Sequence, residues 1–185
     1  VEEGDEVLVP DPGFVSYSAL AKIAGGKAVP VPLSKELRLS PEGVKERISR
    51  KTKALIINSP SNPTGTVQTR AEIKALAEIA TDYKITIISD EVYEHFIYEG
   101  EHVSPACYSD NVITVNAVSK TYAMTGWRLG YVAAKREYVE QLIKVHQYVQ
   151  ACANSISQKA ALAAISGPQD CVIEMRNEFR RRRDY

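Results

Sequence analysis

The sequence predicts an α/β chain with a mainly parallel sheet and helices on both faces. Three observations lead there. Ala54–Ile57, Ile85–Ile88 and Val112–Val115 are apolar or β-branched at every position, the pattern of strands buried on both sides. Segments with helical spacing of apolar residues lie between the extended runs, so crossover connections are available. No internal repeat, low-complexity tract or flexible linker breaks the alternation.

Taken in order, Glu6–Val9 is a short strand, expected to stop at Pro10 and Pro12. Phe14–Ala24 is helix-compatible until Gly25-Gly26 ends it. Lys27–Leu33 is extended and marked by prolines. Ser40-Pro41 supplies an N-cap and a proline at the first helical position, opening a helix to about Ser49. Ala54–Ile57 is the next strand, followed by a turn cluster. Thr69-Arg70-Ala71-Glu72 reads as a capping box, with Ile73, Leu76, Ala77 and Ala80 on one buried face behind it. Ile85–Ile88 leads to Asp90, and Val112–Val115 leads to a lysine-bearing loop. Leu129–Ala133 is strand-like. Glu137–Gln150, Ser157–Ile165 and Asp170–Tyr185 are helical. The Arg180–Arg183 run within the last helix reads as a solvated or interdomain face.

Composition bounds the function. The chain has 185 residues, 44% hydrophobic and 25% charged, as in a globular domain. Lysine plus arginine equals aspartate plus glutamate at 23 each, so no electrostatic footprint for nucleic acid or an anionic membrane is present. Cys107, Cys152 and Cys171 are widely spaced and odd in number, which argues against a disulfide framework and for a reducing cytoplasm. No apolar run approaches the ~20 residues of a membrane span. The first residue is Val1 and the last helix has no stop signal, so the chain is expected to be a piece of a longer protein. Residues 1–167 are expected to form most of one cofactor-binding domain, and 168–185 a helix leading towards another.

The chemistry concentrates in Ser119-Lys120-Thr121-Tyr122-Ala123-Met124-Thr125-Gly126-Trp127-Arg128-Leu129-Gly130-Tyr131. Lys120 and Arg128 offer an amine and an anion clamp together. A free lysine titrates near ~10.4, so a site must supply neighbours before its amine attacks a carbonyl. An arginine fork holds a phosphate bidentately. Pyridoxal 5'-phosphate carries both an aldehyde and a phosphate. Two further polar loops follow buried strands: Asn58-Ser59-Pro60-Ser61-Asn62-Pro63-Thr64-Gly65 and Ser89-Asp90-Glu91-Val92-Tyr93. In parallel sheets such loops meet at the carboxyl ends of the strands. Asp90 there would accept a hydrogen bond from a protonated pyridine nitrogen, at a gross attraction of about 5 kcal/mol for ~3 Å and an effective dielectric of ~20. In isolation Asp90 reads first as the cap of the helix or turn beginning at Glu91, Tyr93 as a packing residue and Asn62 as part of a turn.

Together these three motifs resemble the fold-type I pyridoxal-phosphate enzymes, specifically class I/II aminotransferases of the aspartate aminotransferase type. The resemblance runs from about Gly4 to Ala164. It implies that Lys120 is the lysine bonded to the cofactor, Asp90 the partner of its pyridine nitrogen, Tyr93 and Asn62 the partners of its 3'-oxygen, and Arg128 the phosphate ligand. Phe14, in Asp11-Pro12-Gly13-Phe14-Val15-Ser16-Tyr17, stands where the family stacks an aromatic residue on the ring. The implied reaction is a ping-pong transfer of an amino group between an amino acid and a 2-oxo acid, in a homodimer. Its alternatives are another reaction of the same cofactor, such as β-elimination, or a cofactor-sensing regulatory domain.

The sequence also departs from the family. Nothing corresponds to its glycine-containing phosphate loop or to the arginine that holds the substrate carboxylate, and Ala117 stands where some relatives carry a phosphate-binding serine. The fragment alone is therefore expected to be inactive. No GxGxxG, P-loop or GxSxG motif competes. His95, His102 and His146 lack metal-ligand spacing, so no metal is expected.

Overall fold

The computed structural model describes residues 1–185. Six strands form one sheet: β1 (Glu6–Asp11), β2 (Lys27–Pro32), β3 (Thr52–Asn58), β4 (Thr86–Asp90), β5 (Val112–Ala117) and β6 (Gly130–Ala133), in the order β2-β1-β3-β4-β5-β6. All neighbours are parallel except β6, which runs antiparallel to β5.

Helices α1 (Val15–Ile23), α2 (Pro41–Arg47) and α3 (Arg70–Asp82) cover the sheet. From β1 the chain passes through α1 to β2 on one side, then returns through α2 to β3 on the other. Right-handed crossovers require that reversal of direction to move the helices to the opposite face. The two cores follow. Leu8, Leu55, Ile57 and Ile87 pack with Val44, Ile73, Leu76, Ala77 and Ala80, while Val7, Val9, Ala54 and Ile56 pack with Tyr17 and Ala21. Burying each of the larger aliphatic side chains stabilises by roughly 1.5–3 kcal/mol.

Local signals act as expected at two helix starts. Ser40 Oγ accepts from the Gly43 N–H at 2.9 Å. Thr69 and Glu72 exchange both capping-box bonds, at 3.2 and 2.8 Å.

Several boundaries differ by a residue or two, and the expected lysine loop begins as a short helix, Val118–Thr121. Strand β1 continues through Pro10 to Asp11 instead of stopping at Val9. Glu6 N–H bonds towards β3 and the Asp5 carbonyl towards β2, so alternation turns the Pro10 nitrogen towards β3. The β1–β3 register has already ended at Leu8–Leu55. Proline's missing donor therefore removes no ladder bond.

After β5 come α4 (Val118–Thr121), α5 (Arg136–Val149), α6 (Ser155–Ser166) and α7 (Asp170–Asp184). Val118, Met124 and Ala161 form a third small core that seats α4 on α6. The Arg180–Arg183 run of α7 is exposed; Arg181 and Arg182 pair within the helix with Glu178 at 2.8 and 2.7 Å, while Arg183 also reaches Glu99 at 3.5 Å and lies over the Tyr98 ring. No helix is long and apolar enough to cross a membrane.

Candidate active site

Four loops converge at the carboxyl ends of β1, β3, β4 and β5. Between them lies a cavity of about 340 Å³. Phe14, Asn62, Asp90, Tyr93, Lys120 and Arg128, all six residues singled out in the sequence, line it. Tyr17, Asn58, Asn116, Ala117, Ser119 and Thr125 join them.

Each side chain is aimed by the element beneath it. Gly13 makes the turn into α1, where an added Cβ would lie 2.4 Å from the Pro10 carbonyl oxygen. Phe14, at 41% exposure, then faces the opening and meets Tyr17 edge to face at 5.7 Å. Lys120 sits in the short helix α4, whose other side is held by buried Val118 and Thr121. Its ammonium lies 5.8 Å from the centre of the Tyr93 ring.

Arg128 adopts a left-handed backbone with φ 51° and ψ 50°, a conformation that costs a non-glycine residue roughly 1–2 kcal/mol. Strain of this kind persists where the surrounding structure imposes it. Its guanidinium donates to the Thr125 carbonyl at 2.9 Å.

Asp90 terminates β4 and divides its two oxygens. Oδ1 accepts from the Val92 N–H at 3.3 Å, the turn-capping role open from the sequence, while Oδ2 accepts from the Tyr17 hydroxyl at 2.7 Å. The segment after Asp90 is a succession of tight turns rather than a helix, with Glu94 N–H bonded to the Glu91 carbonyl at 2.9 Å. Tyr93 still reaches the cavity wall.

Two contributors were not singled out in the sequence. Tyr17 is buried, and burial followed by the Asp90 charge pushes its phenol far above the ordinary tyrosine range. The available signal was its i, i+4 spacing from Ala21, which puts both on the sheet-facing side of α1. Asn58, at the tip of β3, donates to the Asp90 carbonyl at 3.1 Å and accepts from the Asn62 N–H at 2.7 Å. It thus ties the Asn62 loop to the end of β4. Its signal was a polar residue closing an otherwise apolar buried strand.

The donors and acceptors of the lining match those of pyridoxal phosphate. A carboxylate held by a neutral phenol, a lysine amine, an amide, a second phenol, a serine and an arginine share one cavity. These complement a pyridine nitrogen, an aldehyde, a phenolic oxygen and a phosphate, so the residues present fit that group.

Comparison with known proteins agrees. The sequence model described as aminotransferase class I and II matches residues 1–185. A probable aspartate aminotransferase of Methanocaldococcus jannaschii is 50% identical over 190 residues, covering 100% of this chain and 51% of that protein. An aromatic aminotransferase structure from Pyrococcus horikoshii superposes with a TM-score of 0.96 at 44% identity, covering 100% of this chain and 52% of that one. A Thermus thermophilus aspartate aminotransferase with maleate gives 0.96 at 39% identity, covering 100% and 50%. The chain spans about half the length of the relatives it matches.

Proposed function

Because the chain belongs to the class I and II aminotransferase family, we propose that it forms the cofactor-binding part of an enzyme that moves an amino group between an amino acid and a 2-oxo acid. The observation that carries this reading is the grouping of Asp90, Lys120 and Arg128 on one cavity, with Tyr17 bonded to Asp90. Residues 1–167 are read as part of the large domain and 168–185 as the helix leading out of it.

Pyridoxal phosphate, when bound, supplies an electron sink for negative charge at the amino acid's α-carbon. The chain's residues do the rest. Asp90 accepts from the pyridine nitrogen and keeps it cationic, while Tyr17 holds that carboxylate in place. Asn62 and Tyr93 donate to the 3'-oxygen. The Arg128 fork and Ser119 would hold the phosphate, and Phe14 would supply an apolar wall for the ring. The Lys120 amine would take the proton from the substrate's α-carbon as general base and deliver it, as general acid, to the cofactor's 4'-carbon.

A cytoplasmic homodimer is the setting this reading favours. Three unpaired cysteines support a reducing compartment. Exposed Leu142, Ile143, Val145, Tyr148 and Val149 on α5 support burial against further protein.

The test is covalent trapping. The complete enzyme is incubated with pyridoxal phosphate, reduced with borohydride and mapped by peptide mass. Label is expected on Lys120, and label on another lysine would overturn the assignment.

A further inference from the structure

Past the end of the β4–β5 ladder, side chains take over the tie between the two strands. The last backbone links are the Asp90–Val115 register pair and the Glu91 N–H donating to the Val115 carbonyl at 3.0 Å. The chain then turns and carries Tyr93 between two glutamates, Glu91 and Glu94. Glu91 is hydrogen-bonded to His102, which the following loop brings back, and Glu94 lies beside the same ring nitrogen. His102 Nε2 lies 2.8 Å from Glu91 Oε2 and 4.0 Å from Glu94 Oε2.

The chain of contacts continues in both directions. Glu94 Oε1 accepts from Asn116 Nδ2 at 2.6 Å, and Asn116 Oδ1 accepts from the N–H of Ala117, the residue before α4, at 2.7 Å. Glu91 Oε1 accepts from the hydroxyls of Ser89 and Ser104 at 2.8 and 2.7 Å. The Glu91 side chain is only 5% exposed, so its charge must be matched where it stands. Burial pushes this carboxyl up, but the bonds from His102, Ser104 and Ser89 together hold it below the ordinary range.

Neither the glutamates nor His102 line the cavity that holds Asp90 and Lys120, and the proposed chemistry leaves them unused. Their ligand atoms lie within 4.8 Å of one another. Glu91, however, already answers three protein donors, which makes the cluster a hydrogen-bond network rather than an open cation site, although the buried His102 Nδ1 finds no partner in it.

We propose that His102 is a positioning residue of the same site, a staple across Glu91 and Glu94 that fixes the Tyr93 turn and, through Asn116 and Ala117, the start of the helix bearing Lys120. The inference rests on the proposed function, since it gives Tyr93 and Lys120 their roles at the cofactor. Its physical basis is that a tight turn and a four-residue helix own few backbone hydrogen bonds. Their orientation is then set by the side chains that support them. Other groups facing the staple are His95, 3.6 Å from Glu94, Tyr122 and Tyr131, which feel the Glu94 charge, and Glu101 and Arg176 in the adjoining cleft.

The experiment uses the complete enzyme loaded with pyridoxal phosphate. It follows the visible absorbance of the bound cofactor against pH, the cofactor's dissociation constant, kcat and KM. His102→Phe is expected to move the absorbance midpoint by ~1 pH unit and to lower kcat about tenfold with KM nearly unchanged. His102→Gln retains a donor to Glu91 and should recover most of both. A purely structural histidine would change thermal stability and leave the midpoint and the kcat-against-KM split where they were. Should His102→Phe fail to fold, Glu94→Gln must shift the midpoint, because it removes charge from a partner 26% exposed. Folded variants with the unsubstituted midpoint and kcat would overturn the staple while leaving the function standing. An unsubstituted enzyme that never bonds the cofactor through Lys120 would overturn both.

Discussion

The Tyr17 hydroxyl donates to Asp90 Oδ2 at 2.7 Å, joining α1 to the tip of β4 across 73 residues of sequence. The bond is part-buried, on the wall of the cavity. A phenol pushed upwards by burial and by the neighbouring carboxylate stays protonated throughout the neutral range, so it remains a donor to Asp90.

Tyr17→Phe should therefore keep the fold but loosen Asp90. Hydrogen bonds to charged groups contribute roughly 1.5–3 kcal/mol, and about half of that expressed at the reacting centre lowers kcat roughly 4- to 13-fold. Steady-state kinetics on the complete enzyme, alongside a thermal melt, provide the check. Equal kcat values in a folded variant would show that the carboxylate is positioned without Tyr17.

Asp90→Asn removes the charge while keeping the shape. The cofactor should still bind, held by Lys120 and Arg128, but activity should fall roughly 100-fold or more at ~1.4 kcal/mol per tenfold. Single-turnover rates measure this directly. Near-normal rates would reduce Asp90 to its turn-capping bond with the Val92 N–H.

The buried Glu91 makes a prediction about acid stability. Its folded pKa is depressed by His102, Ser104 and Ser89 against the opposing effect of burial. A depressed acid stabilises above its unfolded value, near ~4.3 for glutamate, and that contribution is lost as pH falls through the lower folded value. Thermal midpoints of the unsubstituted protein and Glu91→Gln should differ most above about pH 5 and converge below. Parallel curves down to full acid denaturation would show that the Glu91 charge adds nothing to the fold.

Much was legible in the sequence because it is set by neighbours along the chain. The Thr69–Glu72 capping box needs only four residues, and the buried face of Ile73, Leu76, Ala77 and Ala80 needs only a helical period. The apolar runs at Leu55 and Ile87 announce burial on both sides of a parallel sheet, and that topology gathers the loops bearing Asn62, Asp90 and Lys120 at one edge. What tertiary structure decided lies between residues distant in the chain. Tyr17 finds Asp90 only after β1 and β4 take their places on either side of β3. Asn58 reaches the Asp90 carbonyl through strand register, and His102 reaches Glu91 through a returning loop. Pro10 remains within a strand because the sheet leaves its nitrogen without a ladder partner to lose. Spacing and propensity encode local hydrogen bonds and buried faces, whereas a side chain's partner across the sheet depends on topology, register and the direction in which each loop closes.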